Sequence, residues 1–270
     1  MSEDIKIYEL KRMNLKNAIV IDGFPSVGLV SSITANYLVN VLNLEQIGIL
    51  DSIYFPTISL IRHAEPLNTV RIYAGERVGA DKGSDGEQVV VFISEFQPPQ
   101  NLIKMIASTI LDWIQEQKCA LLISPEGLVV DRTGEELEKD EKELSTSTSI
   151  DIERIEAYGV GSTPRAREIL KKNDIKIFQE GVITGVAGVL LNEGRRRDFD
   201  VISLLAEAHP NYPDARAAAK VIEAISKFFL HIKLDPKPLY QEAEAIEAQI
   251  RTIQKQAKSP KQIPLPRMYG

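Results

Sequence analysis

The sequence predicts an α/β domain of three layers, a mainly parallel sheet with helices on both faces. Short apolar runs rich in β-branched residues alternate with stretches of helical apolar periodicity. Glycine-containing turns follow several of these runs, and small residues stand where helices begin. Small side chains let a helix lie close on a sheet, and a strand–helix–strand order favours parallel pairing with a helix in each crossover.

Residues 1–17 read as a charged lead-in that lacks the apolar centre of a signal peptide. The α/β domain then spans 18–235. Its first strand is 18–21, followed by the turn Gly23-Phe24-Pro25-Ser26-Val27-Gly28 and a helix over 26–42. On that helix Val27, Val30, Tyr37, Leu38 and Val41 form a stripe, and Gly28, Ser31, Ser32 and Ala35 a face of small residues. Strands are expected at 46–50, 58–62, 69–74 and 88–94, with a turn at 81–86. A helix over 102–117, built on Ile103, Ile106, Ile110 and Ile114, leads to a buried strand at 120–124.

Residues 134–143 hold six acidic and two basic side chains, and 145–149 is a Ser/Thr run, so this stretch reads as a surface excursion. Further on, Thr163 is placed to cap a helix with Pro164 at its first position, giving a helix over 165–172. A strand at 175–178 follows, then a helix through Val189, Leu190 and Leu191. Arg195, Arg196 and Arg197 read as its solvated last turn. The domain closes with a strand at 199–206 and a helix over 215–230.

Residues 236–258 carry Leu239, Ala243, Ile246, Ile250, Ile253 and Ala257 at alternating spacings of four and three. That is the a/d pattern of a coiled-coil seam, here short of three to four heptads. Two readings stand: a seam through which copies associate, or a terminal helix lying on its own domain. Pro260, Pro264 and Pro266 end the helix and make 259–270 an extended tail. Beyond Glu247 the charged residues are all basic: Arg251, Lys255, Lys258, Lys261 and Arg267. A basic arm on a protein of net charge -6 favours an acidic partner surface. Met268-Tyr269-Gly270 resembles the hydrophobic-Tyr-X signature with which proteasome activators enter pockets of the core particle.

Composition excludes several function classes. An acidic chain is a poor general binder of nucleic acid, and no apolar run reaches the length of a membrane span. Cys119 is the one cysteine; its apolar setting reads as inert packing, and its solitude fits a cytoplasmic protein. His63, His209 and His231 lack metal-ligand spacing, and no catalytic set or cofactor motif emerges. The turn 23–28 lacks the lysine of a P-loop and the dinucleotide glycine spacing, so it reads as a tight, closely packed turn. Glu126 follows a strand's C-terminal end, where open α/β sheets hold ligands, and reads as a loop contact. An alternative keeps a small-molecule or nucleotide-binding enzyme using that turn and Glu126.

The order of four blocks is more specific than any one of them: the 23–28 turn with its small-residue helix, Gly159-Val-Gly161-Ser162-Thr163-Pro164, 181–191 and Asn211-Tyr212-Pro213-Asp214. Together with the tip they resemble the archaeal proteasome assembly chaperone family over about 18–230. The resemblance implies a non-enzymatic homo-oligomer, a small ring such as a tetramer or pentamer. It also implies binding to the α ring of the proteasome core particle, with Met268, Tyr269 and Gly270 inserted between α subunits. Assembly assistance, ATP-independent gate opening, or both would follow; the resemblance also attaches an ATP-grasp-like label to the enzyme alternative.

Overall fold

The computed structural model of the protein describes residues 4–76, 88–129, 156–210 and 212–239. The expected turn at 81–86, the acidic and Ser/Thr stretches at 134–149, the seam from Ala243 onward and the tail lie outside these residues.

Apolar alternation in Ile5–Glu9 makes the first strand, β1, and the apolar run Ile19–Ile21 makes β2. A single 3-10 turn, Val27–Leu29, then leads into α1, Val30–Val41. β3 is Glu45–Ser52, a hairpin follows as β4 (Leu60–Arg62) and β5 (Glu65–Leu67), and β6 (Val70–Glu76) and β7 (Gln88–Ser94) return to the main sheet. Next come α2 (Gln100–Glu116), β8 (Leu121–Leu128), β9 (Ala157–Gly161), α3 (Pro164–Lys172), β10 (Lys176–Ile177) and α4 (Gly185–Arg197). β11 (Val201–Glu207) and α5 (Ala215–Ala224) follow, and a π-helical turn, Ile225–Leu230, extends α5.

The nine-stranded sheet runs β1-β3-β6-β7-β2-β8-β11-β9-β10. Its centre, β7-β2-β8-β11, is parallel, and β10 pairs parallel with β9. The joins of β6 to β7 and of β9 to β11 are antiparallel, as are the outer pairs β1/β3 and β3/β6. Residues of α2 and α4 pack on one face with Val20, Val90 and Leu122; residues of α1, α3 and α5 pack on the other with Ile21, Val91 and Ile123. Successive strand residues therefore feed opposite layers, as a period of two demands, and the expected three-layer α/β fold is present.

Four details differ from the sequence reading. The lead-in supplies an edge strand: Ile5 is buried, and Glu9 accepts hydrogen bonds from Trp113 Nε1 (3.2 Å) of α2 and from Gln117 Nε2 (2.9 Å) just beyond it. Residues 58–62 do not join the main sheet, because β4 pairs with β5 alone. Instead Arg62 reaches Glu95 (2.7 Å), which also receives the buried Arg71 (2.6 Å). The first helix begins at Val30 rather than 26, since Gly28 and Leu29 both take left-handed dihedrals (φ 60 and 51°). Its sheet-facing side is Val30, Ser31, Thr34, Ala35 and Leu38, while Val41 is exposed.

The small-residue prediction has a direct physical counterpart at Gly23. A β-carbon there would sit 2.2 Å from the Phe92 carbonyl oxygen and 2.5 Å from Ala35 Cβ, so α1 and the sheet approach as closely as glycine allows. Gly23→Ala should cost at least about 2 kcal/mol, because a backbone atom cannot swing away. Urea unfolding measures this, and an unchanged midpoint would refute so close an approach.

Candidate functional site

The C-terminal ends of the parallel strands meet at one rim, the customary ligand position in an open α/β sheet. There β2 delivers Asp22 and β8 delivers Ser124 and Glu126. Asp22 is buried, and its two oxygens accept from the Phe24 amide (3.1 Å) and the Ser124 hydroxyl (2.7 Å). Burial pushes the Asp22 carboxyl up to about 6, against the opposing pull of those two bonds. Glu126 is half-buried as a residue. Burial of its carboxyl, then the neighbouring Asp22 charge, raises it well above the usual carboxylate range. Two acids this close favour retaining a proton.

Loops of the chain itself pack closely beside the pair at Gly127 and Gly28. A β-carbon on Gly127 would lie 2.2 Å from the Val27 carbonyl oxygen, and one on Gly28 would meet Ala208, His209 and Asp214 at 3.1–3.2 Å. The Gly28 carbonyl accepts from the Asp214 amide (2.7 Å). Asp214 in turn caps α5, accepting from the Arg216 and Ala217 amides (3.1 Å each), and also accepts from the His209 amide (3.0 Å). The His209 and Tyr212 rings stack 4.0 Å apart beside it. At the entry to α1 the Leu29 amide bonds to the Ser26 carbonyl, the Ser31 amide to Ser26 Oγ and the Ser31 hydroxyl to the Asp22 carbonyl. The Phe24, Leu29, Val30 and Ser31 amides at this turn and helix entry are thus engaged by the chain itself, and the nucleotide-site alternative is not favoured. Among the described residues no group of three or more His, Cys, Asp or Glu side chains is arranged to hold a metal ion.

The other sequence blocks also act as fasteners. Thr163 Oγ1 accepts from the Ala166 amide (3.0 Å), capping α3 with Pro164 in its first turn, and bonds to buried Asp200, which Arg165 also reaches. The Ser162 hydroxyl donates to Phe199 O (2.9 Å) and accepts from Val201 N (2.8 Å), sewing the end of β9 to β11. Arg197 belongs to no solvated turn: it bonds to Asp112 (2.5 Å) and Ser108 (2.7 Å) and joins α4 to α2. Burial pushes the Cys119 thiol up to about 12, which suits packing and not nucleophilic chemistry.

Met268, Tyr269 and Gly270 lie outside the described residues, as do Ala243, Ile246, Ile250, Ile253 and Ala257. Leu239 is buried in its own domain, in a cluster with Ala215, Ala219 and Ile222 of α5. Ile33 and Tyr37 of α1 pack on that cluster. At this first position, therefore, the apolar side chain packs on its own domain. Sequence spacing offered no route to the Asp22–Ser124 pair, 102 residues apart, or to the Tyr37–Asp235 contact, 198 apart.

Among the described residues the domain is a layered α/β fold whose loops pack on the rim at Gly28 and Gly127, and whose chain packs back on it at Leu239. The chain belongs to the PAC2 family, whose model matches residues 20–254. It is 27% identical over 270 residues to an uncharacterized protein of Methanocaldococcus jannaschii, covering 98% of this chain and 99% of that one. Among solved structures it is similar to Pyrococcus furiosus PbaA, an archaeal homolog of proteasome-assembly chaperone: TM-score 0.75, 29% identity, 95% of this chain and 94% of that chain. Pyrococcus furiosus PbaB, an archaeal proteasome activator, shares the fold at TM-score 0.75 and 22% identity, covering 93% of this chain and 99% of that one. Among the described residues no helix is long and apolar enough to cross a membrane.

The buried acid pair makes a prediction about pH. Asp22 binds its proton more tightly folded than unfolded, so its contribution to stability is complete below pH about 4 and is lost as pH rises through about 6. A shift of about two units corresponds to about 3 kcal/mol at most. Asp22→Asn removes that penalty while keeping a side-chain acceptor. Thermal unfolding should therefore show the variant gaining on wild type between pH 4.5 and 7.5; parallel curves would contradict the assignment.

Proposed function

We propose that this protein is a homo-oligomeric, cytoplasmic proteasome-binding chaperone or ATP-independent activator. It acts by binding, with no chemistry of its own, and docks Met268, Tyr269 and Gly270 into pockets of the core particle's α ring. One observation carries the reading: a hydrophobic-Tyr-X sequence, after a proline-rich basic stretch, on a domain of the PAC2 family. Similarity to PbaA along nearly the whole chain supports the partner, and the described part of the rim supports binding over catalysis. A short insertion is weak alone. Several tails on one oligomer raise the effective concentration of each later insertion, which gives the seam Ala243, Ile246, Ile250, Ile253 and Ala257 its role.

Peptide hydrolysis by the matching core particle, without ATP, should rise with the full chain and not with a variant ending at Arg267. Equal stimulation by both would exclude the tail as the opener. Light scattering on a chain ending at Leu239, which keeps the buried leucine, should find monomers where the full chain is oligomeric; an unchanged mass would remove the seam from the account.

A further inference from the structure

We infer that Tyr37 and Leu239 form a clamp that fixes where, and in which direction, the C-terminal segment leaves the domain. They are positioning residues for tail docking, and the inference rests on the function proposed above. Helix α5 is covered on two sides. Ala217, Ala218, Val221 and Ala224 face the sheet layer, while Ala215, Ala219 and Ile222, each fully buried, belong to a separate outer cluster. Leu239, only 4% exposed, completes that cluster, with Ile33, Tyr37 and Leu234 packed against it. Three alanine and isoleucine side chains on a surface helix would otherwise meet water, so Leu239 and Leu234 act as their cover.

Polar contacts hold the same segment in register. The Tyr37 hydroxyl donates to the Asp235 carbonyl oxygen (2.6 Å). Partial burial and the nearby Asp235 charge both raise its pKa, which keeps it a donor. Asp235 Oδ1 accepts from the Lys237 amide (3.1 Å), and the Leu239 amide donates to the Pro236 carbonyl (3.0 Å). Residues 237–239 are thus helical where they leave the domain. A helical segment pinned by a buried leucine at one point and a tyrosine hydrogen bond four residues earlier has a set bearing. A chain pinned at neither can point anywhere. For tails that must enter several pockets at once, a set bearing concentrates each tip near its pocket. The apolar repeat is thereby divided, its first position serving the clamp and the later ones the association of copies proposed above.

The test uses full-length protein carrying spin labels at Asn40→Cys and Glu247→Cys, diluted with unlabelled protein; buried Cys119 stays unlabelled. Wild type should give one narrow distance, and Tyr37→Phe and Leu239→Ala each a broad distribution, with the oligomer mass unchanged. In the hydrolysis assay the variants should need roughly tenfold more protein for half-maximal stimulation while reaching the same maximum. Tyr37→Phe keeps the ring and serves where the leucine variant folds poorly. A broad wild-type distribution, a narrow one in both variants, or unshifted stimulation curves would overturn the clamp. The distance is read without the core particle, so a failure of tail docking itself, shown by the chain ending at Arg267, is told apart from a failure of the clamp.

Discussion

The domain depends on a three-residue strand. β2 is Ile19–Ile21, flanked on both sides by parallel partners, with Val20 and Ile21 fully buried in opposite layers. So short a strand holds its place because β7 and β8 satisfy its backbone and both helical layers close on its side chains. Burial of this kind needs helices at contact distance, and Gly23 next to Ala35 provides it. The same closeness leaves the Asp22 carboxyl immediately after β2 with almost no access to water, which favours its protonated form. Fold stability and the chemistry of the rim thus share one cause.

Much of this was legible in the sequence, and for identifiable reasons. The apolar run at 18–21, the isoleucine spacing of α2 and the Thr163-Pro164 cap each contain their full signal within a few residues. The start of α1 was misread because two consecutive left-handed residues, Gly28 and Leu29, interrupt what looks like continuous helical periodicity. β1 was missed because Lys6, Tyr8 and Glu9 disguise an edge strand whose inward signal comes from Ile5 and Ile7. The role of Arg197 was invisible because its partners, Ser108 and Asp112, come from another helix. Long-range polar contacts leave no periodic trace, and Tyr37 with Asp235 is the extreme case.

The motif blocks take on a different meaning in three dimensions. Conspicuous glycines and hydroxyls at a strand–turn–helix junction invite a ligand, yet here they admit the chain itself: Gly28 makes way for the loop that caps α5, and Thr163 ties a helix to β11 through Asp200. Among the described residues the domain is fastened at this rim by its own loops. Its described exit toward the C-terminus is also fastened, by Leu239 and Tyr37. Such fastening suits the function proposed above, in which a folded domain presents short binding segments.

The central claim is that contact with the partner runs through the last three residues. Surface plasmon resonance with immobilised core particle, comparing the full chain with one ending at Arg267, tests it most directly. The account predicts that affinity falls at least roughly tenfold on removing Met268, Tyr269 and Gly270, since each copy then loses its insertion and the oligomer its multivalency. Equal affinity of the two proteins would contradict it and place the contact on the folded domain.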